Sequence, residues 1–222
     1  MKIAIVIPNA TMSEAAQAER RAFLEANAPA DVSFEIWRND QGPASIESEA
    51  ERDWAGREIL AQLNSRDLSG VDAAVPWCTV DPGLAALRQE LTVPVVGPLY
   101  AGCTAAQLAG ERFSVLMPAG SRKLNRLRVE GYGFGNRLVS IRQINTPVLE
   151  LRLDQVSLLT RLHQEVDAAA VEGADSVVLG CMALFGMAAK VNASIPVIDP
   201  ALAAINMAQA MVRLGLRNHI RG

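Results

Sequence analysis

Two stretches of this chain read as copies of one another: DAAVPWCTVDPGLAALRQELTVPVVGP at 72–98 and DSVVLGCMALFGMAAKVNASIPVIDP at 175–200. A single gap aligns them. Asp72 then falls on Asp175, Val75 on Val178, Cys78 on Cys181, Gly83 on Gly186, Ala85 and Ala86 on Ala188 and Ala189, Pro94 on Pro196 and Pro98 on Pro200. A second pair repeats at nearly the same offset, IAIVIPNAT at 3–11 with FSVLMPAGS at 113–121. Each copy is a short apolar run that breaks at a proline or a small residue and passes into a helix-forming segment. A period of about half the chain therefore reads as one α/β unit made twice.

Working outward, β-rich runs near 2–7, 32–37, 71–77, 94–97, 112–117, 137–143, 175–180 and 195–198 alternate with amphipathic segments near 13–27, 48–64, 82–91, 99–110, 120–130, 154–172, 183–191 and 200–216. Strict alternation of this kind predicts parallel strands joined by crossover helices. DSVVLG at 175–180 is almost continuously apolar, as a strand covered on both faces must be. Pro76 removes a ladder donor and marks the end of its counterpart. Helix starts are signalled by Ser13 with Gln17, by Asp81–Pro82 and by Asp199–Pro200. The expected architecture is two pseudo-symmetric α/β lobes, each with a mostly parallel four-stranded sheet flanked by helices. The first lobe would take residues 1–97 and 201–222, and the second residues 98–200. Ligands of open parallel sheets bind beyond the carboxyl ends of the strands, so each copy would bring one cysteine to a shared cleft.

Composition narrows the function. Of 222 residues half are hydrophobic, 20% are charged and the formal net charge is −3, which leaves no broad basic surface for a nucleic-acid backbone. MKIAIVIP is far shorter than a membrane span and has no cleavage-site pattern, so neither a leader nor a membrane partner is expected. Cys78, Cys103 and Cys181 are odd in number and form no CxxC pair, which fits a reducing cytoplasm and gives no zinc or other metal site. His163 on a long helix and His219 near the C-terminus read as solvated. Lys2, Lys123 and Lys190 lack a Schiff-base setting, and no GxGxxG or GxxxxGK[ST] is present. GYGFG at 131–135 precedes a strand where a dinucleotide loop would follow one. No cofactor is expected; the partner is a small-molecule substrate.

Inverting a stereocentre with an acidic C–H needs a base on one face and an acid on the other. A thiol with pKa about 8.5 can serve as either near neutrality. Position after a strand and before a helix favours the thiolate, and nearby backbone N–H groups can hold an enolate-like oxygen. One cysteine behind a buried strand is ordinarily a small core residue; two at matched positions of a repeat point to catalysis. Cys103, in AGCTAAQLAG, has no repeat partner and reads as helix packing.

With these residues in place the chain resembles the aspartate/glutamate/hydantoin racemase family, and within it the hydantoin and allantoin racemase branch. The resemblance runs through PNAT at 8–11, GPASIES at 42–48, CTVDPGL at 78–84, VPVVG at 93–97, RFSVL at 112–116, TPVLEL at 146–151 and GADSVVLGC at 173–181. It implies two flavodoxin-like lobes, a cofactor-independent mechanism with Cys78 and Cys181 as the two bases, and a homo-oligomer. It also implies a pocket lined by Asn9, Thr11 and Ser45, with backbone donors at Thr79 and Met182.

The chain departs from the branch in several places. Ile7 precedes Pro8 and Ala10 follows Asn9, where the branch reads N-P-N-T. Tyr100 stands near the place of an acidic residue, Met117–Pro118 replaces a Thr-Thr pair, and Met182–Ala183 follows the second cysteine in place of Ala-Gly. A more apolar rim with fewer side-chain donors favours a hydantoin with an apolar 5-substituent over allantoin. Free glutamate fits less well, because the Thr-His and DSG signatures of that branch are missing and neither cysteine has a lysine or arginine beside it in sequence. Three alternatives accompany this reading: a lyase or cis-trans isomerase of the same superfamily, a free aspartate or glutamate racemase, and a two-lobed binding protein whose cysteines only pack.

Overall fold

In the computed structural model residues 1–218 are described; His219 lies outside them. The elements alternate as the repeat predicts. The first half runs β1 (Lys2–Ile7), α1 (Glu14–Ala26), β2 (Ser33–Arg38), α2 (Glu49–Asn64), β3 (Ala73–Pro76) and α3 (Leu84–Glu90). The second runs α4 (Pro98–Ala109), β4 (Phe113–Met117), α5 (Arg122–Gly131), β5 (Leu138–Gln143), α6 (Gln155–Val171), β6 (Ser176–Leu179), β7 (Val197–Ile198) and α7 (Pro200–Arg213). The chain separates into two compact units, Met1–Pro98 with the residues from Ala204 onward, and Leu99–Ala203.

All strand pairs are parallel, in the orders β2-β1-β3 and β5-β4-β6-β7. The expected fourth strand of the first sheet, 94–97, makes only the Ala74–Val95 bridge. Prolines at 94 and 98 bound it and neither can donate to a ladder. Its place in the sheet is nevertheless that of β7. The Ala74 N–H donates to the Pro94 carbonyl as the Val177 N–H does to that of Pro196, both at 2.9 Å.

β3, which lies between β1 and the bridged 94–97 segment, and β6, which lies between β4 and β7, are the inner strands of the two units, and similar bonds bind them into the sheets. Asp72 donates its N–H to the Lys2 carbonyl (2.8 Å), and its carboxylate accepts the Lys2 N–H (2.7 Å). In the second unit the Asp175 N–H reaches the Arg112 carbonyl (2.8 Å), and its Oδ2 accepts the N–H groups of Arg112 and Glu111 at 2.8 and 2.9 Å. At the other end Trp77 donates to the Val6 carbonyl and Gly180 to that of Leu116.

In the second unit the strand period of two sorts the core. Phe113, Val115, Met117 and Val178 pack with Leu99, Cys103 and Ala106 of α4 and Val129 of α5. Leu116, Val177 and Leu179 face Leu158, Leu162, Val166 and Ala169, a stripe along α6 at helical spacing. Cys103 is fully buried there, which agrees with its reading as packing. In the first unit β1 is buried from Ile3 to Ile7, and α2 is closed at its start by a reciprocal cap between Ser48 and Glu51. No helix among the described residues is long and apolar enough to cross a membrane.

The aspartates at the strand starts carry a testable cost. Asp72→Ala and Asp175→Ala each remove a carboxylate that accepts backbone N–H groups at the surface and should lower unfolding free energy by about 0.5–1.5 kcal/mol, read from urea titration. A change within error for both would mean that water replaces these bonds at no loss.

Candidate active site

Each inner strand ends two residues before its cysteine, and the chain then makes the same turn. In the first unit the Asp81 N–H donates to the Cys78 carbonyl (3.1 Å); in the second the Leu184 N–H donates to the Cys181 carbonyl (3.0 Å). Two residues on, Gly83 and Gly186 both take positive φ, 69° and 75°. At 83 the requirement is also steric, since a Cβ there would lie 3.1 Å from the Gly56 backbone of α2.

An arginine from elsewhere in the unit grips each turn at the matched carbonyl. Arg52 Nε of α2 donates to the Val80 carbonyl (3.0 Å), and Arg152 Nη1, just before α6, donates to the Ala183 carbonyl (3.1 Å). The Arg152 guanidinium also lies 4.3 Å from the centroid of the Phe185 ring. Neither cysteine has a cation beside it in the sequence, and folding supplies one to each turn.

Beyond the matched bonds the two units diverge. The segment 183–191 was expected to be a helix, and it forms two single turns of 3-10 helix, Met182–Leu184 and Ala188–Lys190. Extended Phe185 and left-handed Gly186 interrupt it, and the Gly186 N–H is captured by the Asp199 carboxylate at 2.6 Å. The macrodipole expected at Cys181 is therefore absent, and a local donor takes its place: the Ala183 N–H points at Cys181 Sγ, 3.4 Å away. In the first unit the α-helix begins at Leu84, not Pro82. Its N-cap residue is Gly83, and Asp81 sits two residues earlier at φ 47°, fully buried.

Cys78 is half-buried, Cys181 is 9% exposed, and all three cysteines are thiols. Thr79 and Met182, next to them, are buried at 3% each. Beyond β1, the Asn9 amide donates to the Ala44 carbonyl (2.9 Å) and so holds the 8–11 loop against the GPASIES loop. Asn39, not singled out in the sequence, helps by donating to the Pro8 carbonyl (3.2 Å), and Gly42 must lack a side chain because a Cβ would fall 2.8 Å from that oxygen. Ser45 Oγ is half-buried and donates to Glu47 (3.1 Å), while Thr11 is exposed. His163 is not simply solvated: its Nε2 accepts the Asn192 N–H at 2.9 Å and ties α6 to the chain beyond the second cysteine turn.

Two carboxylates that sequence reading took only as helix-start signals are buried beside the turns. Asp199 is 6% exposed and accepts N–H bonds from Gly186 and Ala201. Burial pushes its carboxyl above the usual range, against the pull of those donors. Asp81 lies against Gly97. No group of three His, Cys, Asp or Glu side chains among the described residues is arranged to hold a metal ion.

Residues 3–208 match the family described as Asp/Glu/Hydantoin racemase. A hydantoin racemase from Rhizobium meliloti is 34% identical over 97% of this chain and 90% of its own length, and one from Pseudomonas sp. (strain NS671) is 32% identical over 97% and 87%. Among solved structures, allantoin racemase from Pseudomonas fluorescens has a TM-score of 0.92 at 26% identity, covering all of this chain and 95% of that one. The chain belongs to the Asp/Glu/Hydantoin racemase family and is an isomerase.

Exposure and packing order the thiols. Iodoacetamide should alkylate Cys78 of the native protein first, Cys181 more slowly, and Cys103 only on unfolding, as read by peptide mass spectrometry over time. Modification of Cys103 before Cys181 would contradict the packing described for α4.

Proposed function

We propose that the chain racemises 5-substituted hydantoins with an apolar substituent, using Cys78 and Cys181 as two bases without a cofactor. The observation that carries this reading is the identity of the two cysteine turns: the same residue offset from the inner strand, the same bond to the cysteine carbonyl, the same left-handed glycine and an arginine on the same peptide. A packing cysteine has no need of a matched partner on a matched turn.

The C5–H of a hydantoin is acidified by the adjacent C4 carbonyl. One cysteine, as thiolate, takes the C5 proton; the electron pair moves into the ring and negative charge collects on the C4 oxygen. The second cysteine, as thiol, delivers its proton to the opposite face of C5. The product is the other enantiomer, the two sulfurs have exchanged protonation states, and proton exchange with solvent resets them. The Ala183 N–H aimed at Cys181 Sγ stabilises charge on that sulfur. Backbone N–H groups of the turns are suited to the developing oxyanion.

The substrate class is supported by the two hydantoin racemase relatives, and by Tyr100 near the place of an acidic residue and Met117–Pro118 in place of a Thr-Thr pair. Arg52 and Arg152 are both held within their units, Arg52 by the Val80 carbonyl and the Glu49 carboxylate and Arg152 by the Ala183 carbonyl and the Phe185 ring.

An enantiopure 5-alkylhydantoin incubated with the protein in deuterated water should lose optical rotation as deuterium appears at C5. Cys78→Ser and Cys181→Ser should each lower racemisation by about 10³-fold or more, with exchange of a single enantiomer's proton surviving in one or both, while Cys103→Ser stays active. Full racemisation by either of the first two variants would remove the two-base mechanism.

A further inference from the structure

The repeat that aligns the two cysteines misaligns two buried carboxylates. Under the offset that matches Cys78 with Cys181, Asp81 falls on Leu184. Past the gap, Gly97 falls on Asp199. Each unit thus has one acid and one non-polar residue at the same two stations, with the acid at opposite stations.

The exchange preserves a link between the cysteine turn and a helix start. In the second unit Asp199, at the start of α7, reaches the cysteine turn: Oδ2 accepts the Gly186 N–H at 2.6 Å, and Oδ1 accepts the Ala201 N–H at 2.9 Å. In the first unit Asp81 belongs to the cysteine turn and reaches the other way, to the start of α4. Its Oδ2 lies 2.6 Å and its carboxyl carbon 2.7 Å from where a side chain at Gly97 would begin. Both carboxylates are buried, Asp81 completely. Burying a carboxylate is costly, and a fold that does so twice at one joint is using it to hold something. Asp81 itself supplies the N–H that binds the Cys78 carbonyl, so its side chain and that bond belong to one residue; Asp199 binds Gly186, two residues past the Leu184 N–H that binds the Cys181 carbonyl.

We propose that Asp81 and Asp199 are a matched pair of positioning residues, each locking its unit's cysteine turn to the start of the next helix with a carboxylate supplied from opposite sides of one joint. The effect on turnover rests on the proposed two-cysteine racemisation; the lock itself is a property of each unit. Proton transfer is steeply sensitive to donor–acceptor distance, so loosening a turn should act on turnover more than on substrate affinity.

The test uses the full chain and measures both turnover and the alkylation of each cysteine by iodoacetamide without substrate. Asp81→Gly, which suits the positive φ at 81, should cut kcat by about 10- to 100-fold with KM changed by less than about threefold. It should change the alkylation rate of Cys78 and leave that of Cys181 alone. Asp199→Asn should do the reverse. The double variant Asp81→Gly with Gly97→Asp returns the carboxylate to the joint from the other side, as the second unit has it; once the Leu84 side chain, whose Cδ2 lies 2.7 Å from the new Cβ, has turned aside, it should recover part of the loss at Cys78. Should Asp81→Gly not fold, Asp81→Asn takes its place, read by Cys78 alkylation. The proposal is overturned if a folded single variant leaves its own cysteine unchanged, if both cysteines respond alike, or if the folded double variant is no better than Asp81→Gly. Because alkylation needs no substrate, a wild-type protein that fails to racemise hydantoins sinks the functional reading and leaves this comparison intact.

Discussion

The peptide that leaves the carboxyl end of an inner strand loses its sheet partners at once, and the molecule's chemistry depends on how those backbone groups are satisfied. The chain answers in the same way twice. The cysteine carbonyl takes an N–H from the third residue on, a glycine turns the backbone left-handed, and an arginine caps the carbonyl two residues past the cysteine. A loop closed by its own peptide bonds and tied to neighbouring elements holds a side chain more tightly than its exposure suggests. The proposed proton exchange between these thiols and a carbon acid needs that, because proton transfer is sensitive to distances of a few tenths of an ångström.

Much of the fold was legible because the repeat doubles every signal. Val75 and Val178, Pro94 and Pro196, and the aspartates at 72 and 175 each read ambiguously alone and clearly as pairs. Where the reading failed, a tertiary contact outweighed local preference. MALFGMAAK at 182–190 has helix-forming residues on both sides of Gly186, and Asp199 takes the one N–H that a continuous helix would have needed. VPVVG at 93–97 has strand composition, but its flanking prolines leave it a single bridge. The arginines could not be found in advance, since Arg52 precedes Val80 by 28 residues and Arg152 precedes Ala183 by 31. The one usable trace lay in the alignment itself: a glycine opposite an aspartate at 97 and 199, and an aspartate opposite a leucine at 81 and 184.

The residues around the turns bear on substrate class through what they cannot do. Asn9 donates to the Ala44 carbonyl, Ser45 to Glu47, and each arginine to a turn carbonyl, so each is held in place by the loop it serves. Polar side chains engaged in holding loops are poor partners for a ureido tail or a second carboxylate, each of which must be met by dedicated donors when it leaves water. The proposed substrate, a hydantoin with an apolar 5-substituent, brings neither of these and asks for fewer donors beyond those its ring requires.

The exchanged carboxylates say which features of the joint are constrained. Two halves that kept their cysteines, turn glycines and strand-end prolines in register did not keep an acid at either 81/184 or 97/199, yet each has one carboxylate buried in that joint. Packing alone does not require this, since an apolar pair of similar volume would fill the space without the desolvation cost. A carboxylate does what an apolar residue cannot: Asp199 binds N–H groups on the cysteine turn and at the start of α7 together, so that neither moves without breaking a charge-assisted bond. The constraint therefore falls on where the carboxyl group sits, and the segment that carries it is free to differ.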